Sequence, residues 1–73
     1  MKTEYRFIHF EEALELWRCV NSKHKNLLGT VEWYLPWKLF CFFPELNTAF
    51  SKDCLEDICD FIKQLGGKDE KRS

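Results

Sequence analysis

Four cysteines, two histidines and a row of carboxylates are the residues in this chain whose chemistry could serve a reaction or a metal. A zinc site needs thiolates and imidazoles that converge, as in a C-x-x-C pair. None of Cys19, Cys41, Cys54 and Cys59 forms such a pair, and His9 and His24 lie beside no cysteine couple. Cys54 and Cys59 are five residues apart on a stretch of helical periodicity, which separates them by about 140° around the axis. The start, MKTEYRFIHFEE, has no apolar core of a secretory leader, so a reducing cytoplasm is expected and with it free thiols. The expected role of the cysteines is that of small, partly buried apolar residues. No metal and no cofactor is expected.

Catalysis finds no better support. Asp53, Glu56, Asp57 and Asp60 gather on one stretch, but on the polar side of an amphipathic helix, where exposed charge is ordinary. Neither histidine stands in a recognisable nucleophile–base pattern with a serine or cysteine. The glycines, Gly29, Gly66 and Gly67, form no phosphate-binding loop. The spacing therefore excludes the common enzyme classes and leaves a binding protein.

The elements that would position a binding surface follow from periodicity. Seventy-three residues suffice for one domain, expected over residues 1–67, with a charged, disordered tail over 68–73. Cys54, Leu55, Ile58, Phe61, Ile62 and Leu65 recur at helical spacing, with Ser51 placed to cap the helix and Gly66 to end it, predicting a helix over 52–65. Residues 27–34 and 38–43 are rich in β-formers. Pro36 between them marks a tight connection, with Leu35-Pro36 as its two-residue loop. Residues 14–21 predict another strand, joined to the next by the polar loop 22–26. Phe10–Trp17 also carries a helical face, but strand is preferred from Leu14 onward. Residues 5–10 add a candidate edge strand. No apolar run approaches the roughly 20 residues that span a bilayer, so no membrane association is expected. The fold class is α+β: a three- or four-stranded antiparallel meander with one C-terminal amphipathic helix packed on one face.

A single helix covers a single face. With that loop, Val31, Trp33, Phe40 and Phe42 form the floor for the helix, and Leu55, Ile58 and Ile62 are expected to bury against Val31, Trp33 and Phe40. Period two then puts Glu32, Tyr34, Trp37, Leu39 and Cys41 on the other side. Tyr34, Trp37 and Leu39, with Lys38, Arg18 and Glu32 around them, are the candidate binding residues, and catalytic and metal-binding residues are none. A net charge of −1 supplies no global attraction for nucleic acid. A nucleic-acid surface nonetheless has its candidates in Arg18, Lys23, Lys25 and Lys38 interleaved with Trp17, Tyr34 and Trp37.

From Trp17 to Leu65 the chain resembles a family of small proteins from phages, prophages and other bacterial mobile elements. The matching marks are Trp17, Asn21, Leu28-Gly29, Val31-Glu32-Trp33-Tyr34, Pro36-Trp37, Cys41-Phe42-Phe43-Pro44 and Cys54-Leu55 with Asp57-Ile58 and Phe61-Ile62. Lys38-Leu39-Phe40 stands where many relatives resemble Arg-Gln-Tyr. The resemblance implies no activity. It implies an accessory protein expressed in a bacterial cytoplasm from a mobile genome. The uncovered aromatic residues themselves point to a host protein or a nucleotide-like small molecule as partner, with a homodimer as a further expectation, and the basic residues among them to nucleic acid as the alternative.

Overall fold

The computed structural model describes residues 1–71. Four strands, β1 (Ile8–Ala13), β2 (Leu16–Asn21), β3 (Leu27–Tyr34) and β4 (Leu39–Pro44), precede the helix α1 (Lys52–Lys71). The strands form one antiparallel sheet in the order β1-β2-β3-β4, the expected meander in its four-stranded form. Phe10–Trp17 is two strands and a turn, not a helix. Leu14 and Glu15 bridge β1 and β2, with Glu15 in the left-handed region (φ 68°). The polar loop 22–26 is organised by Asn21, whose side-chain oxygen accepts from Lys23 N (2.9 Å) and His24 N (2.8 Å).

The β3–β4 connection differs from the expectation. Tyr34 pairs with Leu39, Trp33 with Phe40, Glu32 with Cys41 and Val31 with Phe42, a register two residues from the expected one. The loop is four residues, Leu35 to Lys38, closed by Lys38 N donating to Tyr34 O at 2.8 Å, with Lys38 left-handed (φ 56°). Pro36 fits inside such a loop because its ring fixes φ without needing an N–H partner. A shift by two leaves every side chain on its expected face, whereas a shift by one would exchange the faces.

The core lies between one sheet face and the helix. Ile8, Phe10, Cys19, Val31, Ile58 and Phe61 are buried in a single cluster. Phe61 is its centre: its ring stacks on Phe10 at 3.9 Å and meets Trp17 edge-on at 5.1 Å. Ile58 and Ile62 pack as expected, but Leu55 is 52% exposed and Trp33 45% exposed. The cause is angular. At 100° per residue, Cys54, Ile58, Phe61, Ile62 and Leu65 share an arc, and Leu55 sits at its margin. Trp33 lies toward the far corner of the same face, edge-on to Phe40 at 5.2 Å.

Gly29 fits the sheet to this packing. A Cβ there would stand 2.5 Å from the Phe42 ring and 2.6 Å from the Phe43 carbonyl, so only glycine lets Phe42 lie across β3. Ser51 caps the helix, its hydroxyl accepting from Cys54 N at 3.2 Å, and Asp53 occupies the first turn. Regular helical geometry ends where expected: Gly66 leaves it (φ −111°, ψ 18°), and a second helical stretch follows this kink to Lys71. The expected tail, 68–73, overlaps that last stretch, and residues 72–73 lie outside the described ones.

The N-terminal segment ties the helix to the sheet. Tyr5 OH donates to Asp60 Oδ2 (2.8 Å), and Gln64 Nε2 donates to Lys2 O (2.8 Å) and Tyr5 OH (3.0 Å). Phe10 N donates to Thr3 O (2.8 Å) and Tyr5 N to Ile8 O (2.9 Å). The candidate edge strand 5–10 is thus divided: residues 3–5 fold along the start of β1, and the strand proper begins at Ile8.

Candidate binding face

Residues paired across neighbouring strands share a face, so the register defines what the helix leaves uncovered. Glu11, Arg18, Thr30 and Phe43 form one row across all four strands. Tyr34 and Leu39 form a second row on β3 and β4, and Glu32 and Cys41 lie between the two. The sheet's uncovered face is therefore divided. Its β1–β2 side, together with Thr30 and Glu32 of β3, is polar, and the end of β3 and β4 at their turn, with Phe43, is apolar and aromatic.

The polar half is internally satisfied. Arg18 Nη1 donates to Glu11 Oε1 at 2.6 Å, and His9 Nε2 meets Glu11 Oε2 at 3.0 Å. With Nε2 donating, Nδ1 of the neutral ring accepts from the Ser22 hydroxyl at 3.1 Å. The Glu11 carboxyl is held below the usual glutamate range, first by the His9 hydrogen bond and then by the Arg18 charge. Thr30 Oγ1 donates to Glu32 Oε2 at 2.7 Å. Arg18 and Glu32 are thus on the expected face, but each is bonded to a neighbour rather than to the other.

The aromatic half gathers at the β3–β4 turn. Trp37 meets the Tyr34 ring edge-on at 5.1 Å, and Tyr34 meets Phe43 at 6.0 Å. Trp37 is 67% exposed, Leu39 46% and Phe43 39%. Tyr34, Trp37 and Leu39 are brought together as the spacing predicts, with Trp37 placed by the turn and not by a strand. Lys38 sits in the same turn. Phe43 joins them unforeseen, although it has the parity of Leu39 and Cys41, which was the available signal. Glu11, His9 and Thr30 also belong to this face, and only cross-strand pairing reveals them.

The lysines do not gather. Lys23 and Lys25 lie in the β2–β3 loop and Lys38 in the β3–β4 turn, at opposite ends of β3. Eight residues of strand separate them by about 25 Å. Lys23 and His24 instead line, with Arg6, Phe7, Asn21 and Ser22, an open cleft of about 410 Å³ at the far end of the sheet.

The cysteines are all free and scattered: Cys19 buried, Cys41 and Cys54 half-buried, Cys59 exposed. Burial pushes the Cys19 thiol up to about 12, where it stays protonated and unreactive. Among the described residues, no three of His, Cys, Asp and Glu come together in a way that could hold a metal ion. No helix among them is long and apolar enough to cross a membrane.

Compared with protein-family models, with curated proteins and with solved structures, the chain matches none of them. What it can do is therefore read from its own surface: a small domain with an aromatic-rich sheet face and, among the described residues, no cluster of His, Cys, Asp and Glu that could hold a metal ion.

Proposed function

We propose that the protein is a non-catalytic binding module that captures a protein partner on its uncovered sheet face. The observation that carries this reading is the exposed Trp37, Leu39 and Phe43 gathered around the half-buried Tyr34 at the β3–β4 turn. Large aromatic rings held by one another and left open to solvent are the groups that anchor interfaces. The cluster's rings are open at a turn, with Trp37 67% exposed, which suits a protein surface better than a nucleotide-like small molecule, whose sites enclose most of the ligand. Lys38 beside the cluster, and Arg18 and Glu32 further along the face, would supply the polar rim.

The resemblance to phage and mobile-element proteins supports a setting for this activity. The partner would be a host component, of a defence system for example, sequestered in the bacterial cytoplasm. That step rests on analogy of class. The sheet-based nucleic-acid alternative loses support from the separation of Lys23 and Lys25 from Lys38, and from the engagement of Arg18 by Glu11.

The test compares Trp37→Ala with Lys23→Ala/Lys25→Ala, with folding checked by circular dichroism. An aromatic anchor at an interface centre is worth about 2 kcal/mol, roughly thirtyfold in affinity. Trp37→Ala should abolish capture of the host partner while the lysine pair retains it. Loss through the lysine pair alone, with short oligonucleotides binding tightly at low salt, would make the protein a nucleic-acid binder.

A further inference from the structure

The two edges of the sheet are unlike. The outer edge of β1 is occupied at its start by residues 3–5, through Phe10 N to Thr3 O and the bridge of Glu4 with His9. Glu11 and Glu12 bring charge to the rest of that strand. The outer edge of β4 has neither device. Leu39-Phe-Cys-Phe-Phe-Pro44 carries no charge. Among the described residues its backbone hydrogen-bonds to no segment other than β3, while α1 and Phe50 (5.3 Å from the Phe42 ring) pack against it from the helix side. Up to Pro44, which closes the strand, this edge lacks the charge, proline and covering segment with which proteins block strand pairing, and such an apolar edge is a template for it.

We propose that β4 pairs antiparallel with β4 of a second copy, joining two four-stranded sheets into one of eight about a two-fold axis at Cys41. A continuous antiparallel sheet with a perpendicular two-fold requires one residue to face its own copy, because paired residues share a face. Centring on Cys41 sets Leu39 opposite Phe43 of the second copy and Phe40 opposite its Phe42, apolar against apolar throughout. Centring on Phe42 would set Leu39 against Glu45, and centring on Phe40 would set Lys38 against Phe42. The ends favour the same register. Lys38 precedes β4 and Glu45 follows it, neither has an ion-pair partner among the described residues, and antiparallel pairing brings each beside its opposite on the second copy.

The size of the contact sets its strength. The open-face side chains that meet across the joint, Leu39 and Phe43, are 46% and 39% exposed, roughly 150–200 Å² per copy on the areas usual for such side chains. About 800 Å² per partner is standard, so the dimer is a reversible one. The pairing also doubles the aromatic face, placing two Tyr34–Trp37–Phe43 clusters on one surface. It does not rest on the partner-capture reading, since edge pairing uses backbone groups and that reading uses Trp37.

Light-scattering mass during gel filtration tests it, from low micromolar up to about 500 µM, the range in which a weak association shows. The mass should rise from 8.8 kDa toward twice that value. Oxidation of a Cys54→Ser/Cys59→Ser variant should trap a disulfide-linked dimer through Cys41, because facing residues of paired strands lie within disulfide reach. Cys41→Ser should stop the trapping and keep the reversible dimer, and Cys41→Lys, setting two ammonium groups face to face, should leave a folded monomer. A mass of 8.8 kDa at the highest concentration, or a reversible dimer that oxidation of the Cys54→Ser/Cys59→Ser variant does not trap, would overturn the proposal. Neither result would touch Trp37-dependent capture, so the two readings fail separately.

Discussion

The two faces of the sheet carry similar residue types and have opposite fates. On the helix side, Phe10, Trp17 and Phe61 close on one another until Phe61 is fully buried. On the open side, Tyr34, Trp37 and Phe43 touch only by their edges, and Trp37 stays two-thirds exposed. The first trio satisfies what folding demands of a chain this small, in which one core supplies only about 3–5 kcal/mol. The second adds apolar surface that folding alone does not use. Aromatic density alone therefore does not report function; what separates a core from a binding surface is which rings the helix reaches.

The sharpest way to break this contrast is Phe61→Ala. Removing a fully buried ring that stacks on Phe10 and abuts Trp17 should cost about 3–5 kcal/mol, close to all the stability available. The expected outcome is a protein without a cooperative thermal transition. A variant that melts as the parent does would show that the helix is not what the core rests on.

How much of this was legible follows from particular residues. Phe61 stands inside the helical stripe, so its burial was readable, but its dominance over Leu55 depends on how the helix rolls on the sheet, which periodicity does not specify. The faces of β3 and β4 were readable because the period of two survives an even shift. The register itself was not, since Pro36 suits a two-residue or a four-residue loop and the left-handed Lys38 decides it. The tie formed by Tyr5, Asp60 and Gln64 joins residues 55 or more apart in the chain, and no local pattern announces it. The Glu11–Arg18 pair appears only once β1 and β2 are aligned.

Gly29→Ala attacks the contrast from the strand side. The new methyl group would meet the Phe42 ring and the Phe43 carbonyl, and the second of these is backbone that cannot rotate away. Overpacking of this kind costs about 1–3 kcal/mol, which a urea titration would read as an earlier midpoint. An unchanged midpoint would mean that β4 sits further from β3 at this point than the structure places it.

Tyr5→Phe tests the tie between the N-terminal segment and the helix. It removes the donor to Asp60 and should cost about 1 kcal/mol at neutral pH. Burial and then the Asp60 hydrogen bond raise the Tyr5 pKa above its ordinary 10.0. The folded state thus holds this proton more tightly than the unfolded one. The stabilisation is complete below pH 10 and is lost as pH climbs toward the raised value. In alkaline melts the parent should therefore lose its advantage over Tyr5→Phe. A gap that stays constant into strong alkali would mean that the folded state holds the Tyr5 proton no more tightly than the unfolded one, against the Tyr5–Asp60 hydrogen bond.

Trp37→Ala should scarcely change stability, by about 0.5 kcal/mol, because it shortens an exposed turn residue with one aromatic neighbour. This is the counterpart of Phe61→Ala, and the pair sharpens the comparison: one ring holds the fold together and the other is free to bind. Unfolding of Trp37→Ala would assign the ring to the structure and remove it from the binding face.

The smallest effect belongs to the polar half of the open face. Glu11 is held below its usual range by the His9 hydrogen bond and by the Arg18 and Lys25 charges, which means that folding favours its ionised form. Its contribution is present above the ordinary glutamate value and disappears as pH falls through the lowered one. Glu11→Gln deletes the charge while keeping the size of the side chain. The parent's advantage over this variant should be slight at neutral pH, as for any solvated pair, should weaken as salt is added, and should vanish in acid. Urea midpoints of both proteins across the acid range give the comparison directly. A difference that persists unchanged below the lowered pKa would mean that Glu11 acts through its hydrogen bonds to His9 and Arg18 and not through its charge. In that case the polar half of the face would be a built part of the fold, not the solvated border of a binding surface.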